Sequence, residues 1–255
     1  MRNCLVTVFV TVSVGLASAA DLPRPAVPFA VDDRGGIVVE VRVNGDGPFR
    51  FLLDTGASRS IVSDELARHL AAPVVAKSEV VTNAGSTMHL VVRLASVELP
   101  FAQATSLLAP VLPAARLAVA GPDIRGVLGQ DFLSAFNYTL DYRRGRLTWD
   151  ESIACNTPSA VPMNAAEGRF VMTLRAETGA PLRLVPDTGA EVAVIFRGRA
   201  PVPTVSRLRV GTSTLRDIRP VIVDREDPAA DGLLPLHGFS SVSFAAGGSC
   251  LIARN

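Results

Sequence analysis

Histidine is scarce in this chain: three residues among 255, His69, His89 and His237. They are scattered and share no ligand spacing with the cysteines, so neither a metal site nor a cofactor is expected. The same scarcity leaves Ser58 and Ser60 without a plausible histidine partner, and a serine-nucleophile triad finds no support. Cysteine is equally sparse. Cys4 falls in an N-terminal stretch expected to be removed, which leaves Cys155 and Cys250 either to pair in an oxidising compartment or to stand as two buried thiols. Net charge is missing too. Of 25 Lys and Arg, one (Arg2) lies in that stretch, so the remainder balances the 24 Asp and Glu. A neutral chain has no electrostatic pull on nucleic acid or anionic lipid. The arginines at 197, 199, 207, 209, 216 and 219 then read as a solvated strand face. Gly247-Gly248 is a turn and not a phosphate loop, because no helix start follows it. Beyond residue 20 no apolar run is long enough to cross a membrane.

What is present begins with Met1-Arg2-Asn3, a short positive start. An uncharged apolar run from Cys4 to Leu16 follows, then the small residues Ala17-Ser18-Ala19-Ala20. This is the pattern of a cleavable secretory leader over residues 1–20. It predicts a periplasmic or secreted protein with no membrane anchor after cleavage. The rest is rich in Val, Gly and Pro, in short alternating apolar runs between turns, which predicts strands with few helices.

The chain repeats itself. Residues 35–57 lie over 168–190 without a gap, a shift of 133. Gly35 meets Gly168, Arg42 meets Arg175, Pro48 meets Pro181, Arg50 meets Arg183, and Asp54-Thr55-Gly56-Ala57 meets Asp187-Thr188-Gly189-Ala190. Each copy reads as strand, turn, strand, then the Asp-Thr-Gly loop. In the first copy Ile37–Val43 is a strand, Asn44-Gly45-Asp46-Gly47 the turn and Phe49–Leu53 the second strand. In the second copy Phe170–Ala176 leads through Glu177-Thr178-Gly179 to Leu182–Val185. The match resumes at Gly126-Val127-Leu128-Gly129 over Gly232-Leu233-Leu234-Pro235, at a shift of 106, and each is followed by a hairpin. The second copy is therefore 27 residues shorter, the difference of the two shifts. The missing piece corresponds to part of 64–88, which holds a helical stretch (Ser63–Leu70) and a Gly-containing hairpin tip. Two lobes are expected, residues 21–150 and 151–255, similar to each other and related by approximate two-fold symmetry.

One Asp-Thr-Gly is weak evidence, since a tight turn explains it. A given four-residue string matches by chance on the order of 10⁻⁵ per position, so two copies at equivalent places in a repeat are no accident. An acidic residue ending an apolar strand is costly to bury. Across a two-fold axis Asp54 and Asp187 would share one proton, because two adjacent like charges cannot both ionise. One carboxylate would then activate a water while the other hydrogen-bonds a carbonyl, the chemistry of peptide hydrolysis. Thr55 and Thr188 could bond across the axis. Gly56 and Gly189 would let backbone N–H groups approach the carboxylates.

On these residues the sequence resembles the retropepsin-like aspartic proteases, in the bacterial secreted style. Phe51-Leu52-Leu53-Asp54-Thr55-Gly56-Ala57-Ser58 and Asp187 to Ile195 look like the family's catalytic loops. Val127-Leu128-Gly129 is similar to the hydrophobic-hydrophobic-glycine strand behind such a loop. The resemblance implies an all-β fold with short helices and an aspartic endopeptidase acting on an extended peptide. It also implies a flap hairpin near Thr82–Met88 with its tip at Asn83, Ala84, Gly85 and Ser86. Two lobes in one chain imply a monomer. The second lobe departs from the pattern: Pro186 replaces Leu53, Pro235 replaces the glycine, and a flap is missing. Two alternatives follow, a protease active only as a homodimer through Asp54, and a non-catalytic peptide-binding pseudoprotease.

Overall fold

The computed structural model describes residues 26–82, 85–150, 152–197 and 205–255. The leader at 1–20 and the flap-tip residues Asn83 and Ala84 lie outside the described residues, as does Arg199. The fold is mostly β with a few short helices, the longest being Asp64–His69.

Strand Ile37–Val43 buries alternate residues as an amphipathic strand must, and pairs antiparallel with Asp46–Leu53. The turn between them is tighter than the four residues expected from sequence. Asn44 and Gly45 both take positive φ (54° and 80°), so two residues reverse the chain and Asp46 already faces Val43. Asn44 is held there because its side-chain oxygen accepts from the backbone N–H of Ala95 and Ser96. Asp46–Leu53 next runs parallel to Ile124–Leu128, with Phe51 beside Gly126 and Leu53 beside Leu128. Ile124–Leu128 in turn lies antiparallel to Ile61–Ser63. A Cβ at Gly126 would stand 2.3 Å from the Phe51 ring and 2.5 Å from the Ile61 carbonyl, so this crossing needs glycine. Ser63 then caps helix Asp64–His69, its hydroxyl accepting from the Leu66 N–H at 3.0 Å.

The second half uses the same local plan. Arg169–Arg175 pairs with Pro181–Asp187, which runs parallel to Gly232–Pro235 with Leu184 beside Gly232. Gly232–Pro235 lies antiparallel to Val194–Phe196. Gly232 stands where Gly126 does, and a Cβ there would lie 2.1 Å from the Val194 carbonyl.

Two departures have physical causes. In the first half the antiparallel ladder extends to Ile37 opposite Leu53. In the second it stops at Met172 opposite Leu184, two residues short, because Pro186 has no N–H to give. On their other side Phe170 and Val171 pair with Ala165 and Asn164, much as Ile37 and Val38 pair with Val31 and Ala30. The other departure is the shortened segment. Between Val194–Phe196 and Gly232–Pro235 the described residues hold only the pair Leu208–Val210 and Ser213–Leu215 and the strand Val221–Val223. The first half has Val74–Thr82, Gly85–Leu99 and Ala102–Leu112 in that place.

The halves share strands. Ala26–Pro28, Arg146–Asp150, Asn137–Asp141, Ser241–Phe244, Cys250–Arg254 and Ala160–Ala166 follow one another in a single sheet. At its centre Tyr138 faces Phe244 with stacked rings 4.9 Å apart, and the hydroxyls of Thr139 and Ser243 meet at 2.8 Å. Leu140, Leu147, Val242 and Leu251 are fully buried on it. Each such side chain contributes roughly 1.5–3 kcal/mol, so the junction between halves belongs to the main core. A disulfide joins Cys155 to Cys250, the first residue of strand Cys250–Arg254.

Candidate active site

Asp54 and Asp187 each end the second strand of their half. The strand carries them inward because the preceding residues, Phe51 and Leu53 in one copy and Leu184 and Val185 in the other, are buried. The two loops then meet. The Thr55 N–H donates to Thr188 Oγ1 at 3.0 Å, and the Thr188 N–H donates to Thr55 Oγ1, also at 3.0 Å. Each hydroxyl donates onward across the junction: Thr55 Oγ1 to the Pro186 carbonyl at 2.7 Å, and Thr188 Oγ1 to the Leu53 carbonyl at 2.6 Å. Proline at 186 removes a donor but keeps the carbonyl, and the carbonyl is what this contact uses.

The glycines let the carboxylates pack against the opposite loop. A Cβ at Gly56 would lie 2.5 Å from Asp187 Cγ, and one at Gly189 would lie 2.9 Å from Asp54 Cγ. Asp54 Oδ1 accepts from the N–H of Gly56 at 2.8 Å and of Ala57 at 3.0 Å. Asp187 Oδ1 accepts from the Gly189 N–H at 2.7 Å. Asp187 is only 7% exposed. Burial raises both carboxyls above the ordinary range. For Asp187 the adjacent Asp54 charge adds to burial and pushes it well up, while the N–H groups of Gly56 and Ala57 and a bond to Asp187 oppose the rise at Asp54.

Ser58 lies against Gly168, where a Cβ would stand 3.0 Å from its own. In the hairpin formed by Val74–Thr82 and Gly85–Leu99, Gly85 pairs with Thr82, and Ser86 donates to Glu79. His89 anchors this hairpin to the body. Its Nδ1 contacts the Val111 carbonyl at 2.9 Å, which requires the Nδ1–H tautomer, and its Nε2 contacts the Thr87 hydroxyl at 2.7 Å. Among the described residues no cluster of three His, Cys, Asp or Glu is arranged to hold a metal ion.

Sequence reasoning passed over Gln130, Tyr138 and Tyr142. Gln130 is buried behind the first loop, its backbone N–H donating to the Ala57 carbonyl at 2.9 Å and its side chain to the Thr55 carbonyl at 2.8 Å. The signal was in the repeat. At the shift of 106, Gln130 meets Leu236 and Tyr138 meets Phe244, so polar residues in one copy replace apolar ones in the other.

Residues 39–135 match the family model described as gag-polyprotein putative aspartyl protease. That stretch holds Asp54 and the Gly126–Gly129 strand. Over those residues, less than half of the chain, the sequence is similar to that aspartyl protease family. Among solved structures it is similar to a retropepsin-like aspartic protease from Rickettsia conorii, at 21% identity over 49% of this chain and 89% of that one, with a TM-score of 0.36. No curated protein matches the sequence.

Proposed function

We propose that the chain is an aspartic endopeptidase whose two carboxylates, Asp54 and Asp187, come from two similar lobes of one polypeptide. The observation that carries this reading is the reciprocal Thr55–Thr188 bonding, which brings the two Asp-Thr-Gly loops face to face. In the proposed reaction Asp54, ionised, takes a proton from a water lying between the carboxyls. The resulting hydroxide oxygen bonds to the scissile carbonyl carbon as Asp187 gives its proton to the carbonyl oxygen. Asp54 then passes the proton it holds to the amide nitrogen. The C–N bond breaks, and one hydroxyl of the collapsing diol returns its proton to Asp187. The burial that keeps Asp187 protonated and the N–H groups that favour ionised Asp54 support this division of roles.

Substrate would bind extended under the Val74–Thr82 and Gly85–Leu99 hairpin, which serves as the single flap. The leader at 1–20 would send the enzyme to the periplasm or beyond, as a monomer. A homodimer through Asp54 is not needed, since the partner carboxylate comes from the same chain. A pseudoprotease reading draws on the short ladder at Pro186, and it would keep peptide capture by strand addition while losing cleavage. The test is a peptide library incubated with the chain lacking residues 1–20, with and without a peptide carrying a secondary hydroxyl in place of the scissile amide. Cleavage that this analogue blocks supports the reading. A folded protein that binds the analogue and cuts nothing supports the pseudoprotease.

A further inference from the structure

The two Asp-Thr-Gly loops are alike in backbone but not in what stands behind them. The Thr55 carbonyl and the Gly56 N–H belong to one peptide group. Gln130 Nε2 donates to that carbonyl at 2.8 Å, and the N–H of the same group donates to Asp54 Oδ1 at 2.8 Å. A donor on the carbonyl side of an amide polarises it and strengthens the bond its N–H makes, the more so in a buried site. In the other loop the equivalent peptide group joins Thr188 to Gly189, and its N–H donates to Asp187 Oδ1. There the residue equivalent to Gln130 is Leu236, buried and without a donor. Among the described residues no side chain donates to the Thr188 carbonyl.

The amide of Gln130 cannot turn round, because a carbonyl oxygen only accepts and the Nε2 must face Thr55. Its Oε1 then points away from the loop. It is closed off from solvent without a partner, as are the hydroxyls of Tyr138 and Tyr142. The Tyr138 hydroxyl lies near the Gln130 amide without closing a hydrogen bond to it, and burial, then the Asp187 charge, raises the Tyr142 phenol well above the ordinary value. These are the only two tyrosines in the chain. The second copy has Phe244 opposite Tyr138.

We propose that Gln130 is a positioning residue that acts on Asp54 through the Thr55–Gly56 peptide group and makes the two aspartates unequal, with the Tyr138 hydroxyl as its polar neighbour. This rests on the peptidase reading for its catalytic meaning, though not for its measurement. In that reading the polarised N–H favours the ionised form of Asp54, so the base and acid roles are assigned by the fold before substrate arrives.

The test is a ¹³C-carboxyl NMR titration of Asp54 and Asp187 in the whole chain, beside pH profiles of kcat/KM on a cleaved peptide. Gln130→Met keeps the volume and removes the Nε2 bond to the Thr55 carbonyl. Gln130→Leu, the residue type the second copy carries, is the variant to use if Met does not fold. The lower of the two ionisations is expected to rise by about 0.5–1 pH unit. The acid limb of kcat/KM should move with it, while KM stays the same. Tyr138→Phe should move the same ionisation in the same direction by less. A folded Gln130 variant whose melting temperature falls while both ionisations stay put would overturn the proposal, since that is what a purely structural role gives. If wild type cuts no peptide yet the lower ionisation still moves in Gln130→Met, the positioning relay stands and the peptidase reading fails instead.

Discussion

The junction between the halves can be tested by removing one hydroxyl. Thr188→Val keeps the side-chain volume and deletes two contacts. The Thr55 N–H loses its acceptor and the Leu53 carbonyl loses its donor. Both Thr55 and Thr188 are buried, 1% and 2% exposed, so water cannot replace what is lost. A buried polar backbone group left unpaired costs about 1–3 kcal/mol, and two of them give roughly 2–6 kcal/mol. For a chain of this size each kcal/mol moves Tm by about 2–4 °C, so a fall on the order of 5–20 °C is expected in calorimetry. Thr188→Ser keeps the hydroxyl and loses one methyl, which costs about 1 kcal/mol. The contrast between Val and Ser isolates the hydrogen bonds from the packing. If Val is no more destabilising than Ser, the hydroxyl does not join the loops and the reasoning about the site fails at its base.

Other consequences follow from the same geometry. Asp187 has a folded pKa raised by burial and the Asp54 charge. Such a carboxyl favours the fold below the unfolded value of about 3.9 and loses that contribution as pH climbs toward the folded value. Asp187→Asn cannot ionise, so its stability relative to wild type should be flat near pH 3 and grow above about pH 4, by about 1.4 kcal/mol per pH unit inside that window. A pH-independent offset in a calorimetric series would contradict this. Asp227→Ala strips Arg169 of both bonds to that carboxylate, with the two side chains 13% and 2% exposed. A loss of about 3–5 kcal/mol in urea unfolding is expected, and a loss under 1 kcal/mol would count against the pair being buried. Gly232→Ala places a Cβ 2.1 Å from the Val194 carbonyl, a backbone atom that cannot swing away. A cost of about 2–3 kcal/mol is expected, and a neutral urea midpoint would show that this strand crossing is looser than described.

The duplicated loops were legible because their residues are individually improbable where they stand: an aspartate ending an apolar strand, followed by glycine, twice at one shift. Strand Ile37–Val43 was legible from its alternation. Gly126 and Gly232 marked the strands behind the loops because close packing there leaves no room for a side chain. The start of the second strand at Asp46 was missed. The conformations of Asn44 and Gly45 depend on a contact with Ala95 and Ser96 fifty residues away, which local turn chemistry does not contain. Pro186 announced a lost donor but not where the ladder would end. Gln130 was missed for a different reason. Its role depends on which carbonyl a neighbouring loop presents, and only comparison of the two copies, Gln130 against Leu236 and Tyr138 against Phe244, hints that one side of the junction is polar. The choice between paired and free Cys155 and Cys250 likewise needed the tertiary fold, which brings the turn at Cys155 against the start of strand Cys250–Arg254.

The central claim is that one chain supplies both carboxylates, and two single substitutions test it. Asp54→Asn and Asp187→Asn each leave a neutral isostere that still accepts the loop N–H bonds, so both variants should fold. The account predicts that cleavage of a peptide library, followed by mass spectrometry from about pH 3 to 7, is lost in both. Loss in Asp54→Asn with activity kept in Asp187→Asn would contradict it and point to a site built from the first half of two chains.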